Sequence, residues 1–242
     1  MSDFDDSHWA DEAFSAGYRD KADGFLPERP RLIATMLSHY HAFCRRDHRP
    51  TRVLDLGCGD GVLVERLLAT DPHLEATLVD GAPAMLDAAR QRLGVGEQLR
   101  FVQASFQGLL ADSGLLAGDC FDCIVSSLAV HHLTAAEKRQ LFSWCGAHLA
   151  SGGHLLLIDV VLAPDQTLEE WYLRQWQQAI ARLNPGERDL ADIPRQYKAN
   201  RDNRPDTLLK QLGILVEEGF DRVDCFYKSG IFAVFGGRKG GG

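Results

Sequence analysis

The chain is predicted to fold as an α/β domain on a doubly wound, mixed seven-stranded sheet that closes in an antiparallel C-terminal hairpin. Three observations carry that expectation. Five short β-rich runs alternate with helical patterns from Thr51 onward, the signature of parallel strands joined by crossover helices. Two more such runs follow, separated only by Ser229-Gly230, a connection short enough for nothing but a hairpin. The 242 residues are 45% hydrophobic and 25% charged, enough for one core without crosslinks.

The elements follow in order. Pro30 to Cys44 reads as a helix with an apolar face through Leu32, Ile33, Met36, Leu37, Tyr40 and Phe43. The five runs are "TRVLDLG", "EATLVD", "LRFVQ", "FDCIVSS" and "HLLLIDVV". Between them, Val62 to Ala69 is a helix ending before Asp71-Pro72, and Pro83 suits a first helical position. Thr134-Ala-Ala-Glu137 is a capping box, and Ser151-Gly152-Gly153 turns the chain from that helix into the fifth run. Leu168 to Leu183 is helical, Asn184 to Pro205 polar and irregular, and Asp206 to Glu218 helical again. The hairpin runs are "RVDCFYK" and "IFAVFGG".

Net charge is -8, which argues against a duplex nucleic-acid binder and for a small substrate. The chain opens on an acidic stretch, with no charged-then-apolar leader and no apolar run of membrane-spanning length, so a cytoplasmic location and no membrane partner are expected. Six cysteines are scattered, and Cys120-Phe-Asp-Cys123 lacks a second pair at metal-site spacing; core packing is its expected role, and no metal is expected.

The chemistry concentrates in "VLDLGCGDG", Val53 to Gly61. Gly57, Gly59 and Gly61 fall in the first strand-to-helix turn, where a parallel sheet meets its ligand and missing Cβ atoms let the ligand rest on backbone. The spacing is G-x-G-x-G, with Val62 where a dinucleotide fingerprint has its third glycine. Asp80 ends the second strand, where this architecture places an acid on ribose hydroxyls. Asp55 precedes the turn, where a carboxylate repels pyrophosphate and attracts an ammonium. A ligand with ribose at one end and a cationic amino acid at the other fits both acids.

In these residues, and in the order of runs from 51 to 161 and again from 217 to 236, the sequence resembles the class I S-adenosylmethionine-dependent methyltransferases, a Rossmann-like family. The resemblance implies that the turn with Asp55, Gly57, Cys58 and Gly59 holds the methionine portion of S-adenosyl-L-methionine and that Asp80 binds the ribose. It implies further that Gly81 and Met85 border the adenine, with Ala104, Ser105 and Phe106; the family commonly has Asp where this chain has Ser105. The product would be S-adenosyl-L-homocysteine. One methyltransferase domain is expected: a helical cover over 1–50, a cofactor-binding core over 51–161, an insertion or lid over 162–205, the last helix and hairpin over 206–236, and a flexible tail over 237–242.

The end of the fourth run, "SSLAVHHL", lies beside the methionine end of such a cofactor, which brings in Ser126 and makes His131 and His132 the candidate bases. Packing or capping of the following helix is their alternative role, and Asp159 is a further candidate. Aromatic residues of the covering segments are substrate-pocket candidates: Tyr18, Phe25, Trp171, Tyr172, Trp176 and Tyr197, beside Trp9 and Phe14. Arg174, Arg195, Lys198, Arg201 and Arg204 offer an anion site or a solvated face. The expected activity is methyl transfer to an O, N or S atom of a small molecule. Methylation of a nucleoside in RNA and a non-catalytic cofactor-binding protein stay open beside it. Neither the acceptor nor the oligomeric state is legible in the sequence.

Overall fold

The computed structural model describes residues 24–241 apart from 113, 188, 189 and 191. One seven-stranded sheet runs through the molecule in the order β3-β2-β1-β4-β5-β7-β6. The strands are β1 (Arg52–Leu56), β2 (Glu75–Asp80), β3 (Leu99–Gln103), β4 (Phe121–Ser127), β5 (Leu149–Val160), β6 (Phe220–Ser229) and β7 (Phe232–Lys239). The first five are parallel, and β7 is antiparallel to both β5 and β6. The chain winds outward from β1 through β2 to β3 and then crosses back to β4 on the other side of β1, so the topological switch point and its crevice fall between the ends of β1 and β4.

Alternation along the strands divides the core in two. Val53, Cys123, Val125, Leu156 and Ile158 face one layer, packed under α1 (Arg29–His39), α2 (Val62–Leu68), α3 (Pro83–Leu93) and α6 (Gln166–Leu183). Leu54, Leu56, Ile124, Leu155 and Leu157 face the other, under α4 (Phe106–Ala111), α5 (Ala135–His148) and α8 (Leu208–Glu217). A seventh helix in chain order, α7 (Ile193–Ala199), packs on α6. Pro83 opens α3, and Thr134 and Glu137 form the reciprocal capping box of α5.

Several local expectations are corrected. The segment after α1, Tyr40–Cys44, is a π-helical turn, whose wider pitch brings Cys44 inward and leaves Phe43 53% exposed. Ser151-Gly152-Gly153 lies inside β5, where a register shift between Phe121 and Cys123 absorbs the extra residues. The stretch read as irregular contains α7, with Pro194 tolerated in its first turn. β7 continues through Lys239, into the run assigned to the tail.

Candidate active site

The glycine turn follows β1 at the carboxyl edge of the sheet. Gly57 and Cys58 both donate to the Val79 carbonyl, at 2.8 and 3.0 Å, which folds the turn onto β2. Gly57 has φ of +66°, and a Cβ there would lie 2.5 Å from the Ala129 methyl; Gly59 has φ of +55°, and a Cβ there would meet no atom within 4 Å. The first glycine is thus demanded by packing against the β4 turn, and the second borders open space. From outside, Arg92 of α3 donates to the Asp60 carbonyl at 2.9 Å and pairs with its carboxylate at 2.6 Å, holding the turn in place.

Both acids lie at this turn. Asp80 accepts from the Gly59 N–H at 2.8 Å and the Ala82 N–H at 2.9 Å, and its pKa is raised by burial against the opposing effect of those N–H groups. Asp55 is 1% exposed, and neither oxygen has a hydrogen-bond partner among the described residues. Burial, reinforced by the charge of Asp80, pushes its pKa up to about 8. A buried carboxylate with both oxygens unpaired is costly by itself and is what a buried ammonium would complete. The open space at Gly59 and the acids on either side therefore fit S-adenosylmethionine: ribose at Asp80, amino-acid end at Asp55.

The remaining cofactor candidates separate. Phe106 reaches across from α4, its ring 3.4 Å from the position a Gly57 Cβ would take. Gly81 and Ala104 occupy the turns after β2 and β3, Met85 is buried in the first turn of α3, and Cys58 is buried in the glycine turn, its thiol pKa raised by burial. Ser105 is the N-cap of α4, its hydroxyl oxygen accepting from Gly108 N–H at 3.0 Å. Ser126 is corrected: it is 1% exposed and donates to the Leu56 carbonyl at 2.6 Å, so its hydroxyl ties β4 to β1.

At the end of β4, Leu128 takes φ of +56°, a conformation strained for a branched side chain, and delivers the chain into a short 3₁₀ turn, Val130–His132. The two imidazole rings lie close, centroids 4.1 Å apart and tilted by 44°, but their Nδ1 atoms meet different partners. His131 Nδ1 lies 2.6 Å from a carboxylate oxygen of Asp159 at the end of β5, both side chains buried. His132 Nδ1 faces the Asp202 carbonyl at 3.3 Å, and its pKa is driven well below the usual histidine range by burial and then by His131. The second oxygen of Asp159 and the Tyr197 hydroxyl are buried with no hydrogen-bond partner among the described residues. Burial and the charge of Asp159 raise the Tyr197 pKa.

The aromatic candidates divide in the same way. Tyr197 lies edge-on to Trp176, ring centroids 5.9 Å apart, and 6.1 Å from His131. Trp176 is buried, donates to the Phe25 carbonyl at 2.7 Å and stands perpendicular to Phe232 at 5.1 Å; Phe25 is buried beneath α6. Trp171 is corrected, since at 48% exposure it points to solvent, and Tyr172 packs beside Gly230 under the Lys228 ammonium, on the hairpin. Tyr18, Trp9 and Phe14 lie outside the described residues. Of the basic residues, Arg195 pairs with Asp192 and Lys198 with Glu169, so their charge is met within the protein. Cys123 is buried beside Cys44 in the core as expected, whereas the expectation is corrected for Cys120, which is exposed just before β4.

Residues 54–155 match the family model of a methyltransferase domain. Over these residues the chain carries a methyltransferase domain of the class I S-adenosylmethionine-dependent kind. It is 34% identical to an uncharacterised methyltransferase of Mycobacterium tuberculosis over 126 residues, 51% of this chain and 57% of that relative, so it spans a little over half the relative's length. An O-methyltransferase family protein from Burkholderia thailandensis superimposes with a TM-score of 0.68 at 19% identity, over 98% of this chain and 63% of that one. Human N-acetylserotonin methyltransferase, solved with its methyl donor, gives 0.57 at 19% identity over 96% and 60%. The methyltransferase strand order and the terminal hairpin are shared with these folds. No helix among the described residues is long and apolar enough to cross a membrane.

Proposed function

We propose that this methyltransferase moves a methyl group to an oxygen, nitrogen or sulfur atom of a small-molecule acceptor, with His131 as general base and Asp159 holding it. The observation that carries the reading is the 2.6 Å contact between His131 Nδ1 and Asp159, buried at the carboxyl edge of the sheet one strand away from the glycine turn. S-adenosylmethionine, when bound, supplies a methyl carbon activated by its sulfonium and leaves as S-adenosylhomocysteine.

The protein's own residues do the rest. Asp80 takes the ribose hydroxyls and Asp55 the ammonium; Gly57, Cys58 and Gly59 support the amino-acid end, and Gly81, Met85, Ala104, Ser105 and Phe106 surround the adenine. With Nδ1–H donated to Asp159, the Nε2 lone pair of His131 is left to accept the acceptor's proton, and the carboxylate stabilises the imidazolium that results. His132, held neutral by burial, does not compete for that proton. Trp176 and Tyr197 form the aromatic side of the acceptor space, and the helices that bear them, α6 and α7, cover it to exclude water. The internal pairing of Arg195 and Lys198 counts against a phosphate-tracking RNA groove.

The test is transfer of labelled methyl in a metabolite extract by the protein and by His131→Ala, with small molecules, RNA and protein fractionated afterwards. Label in a small molecule, lost with His131→Ala, is the expected result. Label confined to RNA would reject the acceptor class, and an undiminished rate in the variant would reject the base.

A further inference from the structure

Lys138 is a large side chain that is fully buried, at 0% exposure, in the first turn of α5 just beyond the histidine turn. A buried ammonium persists only where acceptors are fixed around it. Its two acceptors belong to another part of the chain: the Asp206 carboxylate at 2.8 Å and the Arg204 carbonyl at 2.6 Å. The short segment carrying them, Asp202 to Asp206, is attached at every end to the candidate site. The Arg204 N–H donates to the His131 carbonyl at 2.7 Å, and Leu162, just past the end of β5, donates to the Asp206 carbonyl at 3.0 Å. The Asn203 amide donates to the Tyr197 carbonyl at 2.9 Å, and the Asp202 carbonyl faces His132. One strap thus joins the His131 turn, the strand end that bears Asp159, and the helix that bears Tyr197.

Filling this space alone would not require a charge, because replacing a buried ion pair by a hydrophobe of similar volume is often neutral or stabilising. What an ammonium adds is direction, since it fixes two oxygens at hydrogen-bond length. We propose that Lys138 is a positioning residue for the methyl-transfer site: by holding the strap through Arg204 and Asp206, it sets the backbone of His131 and so the His131–Asp159 pair. This inference rests on the reading of His131 as the base. Asp206 also accepts from Lys210 at 2.6 Å, so removing Lys138 does not strand the carboxylate without a cation.

The experiment is nuclear magnetic resonance of the imidazole signals in protein saturated with S-adenosylhomocysteine, which needs no acceptor. Wild type, Lys138→Met, Lys138→Arg and Asp206→Asn are compared, with melting temperature and S-adenosylhomocysteine affinity measured alongside. The groups around the His131 ring are Asp159, His132 and Tyr197, and none of them is altered. In Lys138→Met the hydrogen-bonded Nδ1 proton signal of His131 is expected to broaden or vanish, with ligand affinity changed less than about twofold; Lys138→Arg, which keeps the donors, is expected to restore it. An unchanged His131 signal in a folded Lys138→Met overturns the proposal, and if that variant does not fold, an unchanged signal in Asp206→Asn does so. If the signal moves as expected while His131→Ala still transfers methyl at full rate, the base reading fails and the role of Lys138 in methyl transfer falls with it, while its hold on the His131–Asp159 pair stands.

Discussion

His131 and Asp159 meet 2.6 Å apart across two neighbouring parallel strands, the histidine just past the end of β4 and the acid at the end of β5. The carboxylate selects the tautomer with the proton on Nδ1, leaving the Nε2 lone pair for the proposed base role. Asp159→Asn keeps the shape of that contact and removes its charge. Methyl transfer to the acceptor recovered from extract is expected to fall about 10²- to 10⁴-fold in His131→Ala, the usual worth of a general base. A smaller loss is expected in Asp159→Asn, with the fold intact by circular dichroism. Near-normal rates in both would remove proton transfer from the reaction.

Asp80 is expected to be the main determinant of cofactor affinity. Its oxygens accept two backbone N–H groups from the turns that flank it, so the carboxylate is already aimed before a ribose arrives. Asp80→Ala loses two charge-assisted hydrogen bonds to the ligand, of about 1.5–3 kcal/mol each, and affinity is expected to drop at least tenfold by calorimetry. Unchanged affinity in a folded variant would place the ribose elsewhere.

The strands, the hairpin, the capping box and the position of two acids at the glycine turn were legible because each depends on local sequence: alternation, a two-residue connection, an N-cap, a charge at a strand end. The His131–Asp159 pair was not, because the partners are 28 residues apart and meet only through the register in which Ser127 lies opposite Ile158. The role of Ser126 is hidden for a related reason, since strand-end position does not reveal that its hydroxyl turns back to Leu56. Trp171 and Trp176 looked alike in sequence, yet only the second meets the sheet, through Phe232. The strap of residues 202–206 has no periodicity at all; its order comes from a buried lysine on another helix.

Gly57 and Gly59 have similar positive φ angles, +66° and +55°, and opposite surroundings, which makes them a matched pair. Gly57→Ala places a methyl 2.5 Å from Ala129 in addition to the cost of its positive φ, so it is expected to lower the melting temperature sharply. Gly59→Ala carries only the backbone cost, about 1–2 kcal/mol, since its Cβ meets nothing in the ligand-free protein. Its methyl enters the space assigned to the cofactor, so a folded Gly59→Ala protein with strongly weakened S-adenosylhomocysteine binding is expected. Scanning calorimetry with and without ligand checks both, and full affinity in Gly59→Ala would move the amino-acid end away from this turn.

Asp55 gives the protein a pH dependence of calculable sign. Its pKa is raised from the ordinary carboxylate value of 3.8 to about 8, by burial first and by Asp80 second. A raised folded pKa means that the folded state holds a proton the unfolded chain releases, so stability associated with Asp55 is full below about pH 4 and is lost as pH climbs toward 8. Asp55→Asn, which stays neutral throughout, is expected to melt higher than the parent at pH 8 when no ligand is bound, and to lose that advantage progressively toward pH 5. The same substitution removes the charge proposed to meet the cofactor's ammonium, so S-adenosylhomocysteine should raise the melting temperature of the parent more than that of the variant. Melting curves at the two pH values, with and without S-adenosylhomocysteine, decide both points. A variant less stable than the parent at pH 8 would show that Asp55 is ionised and paired in the free protein.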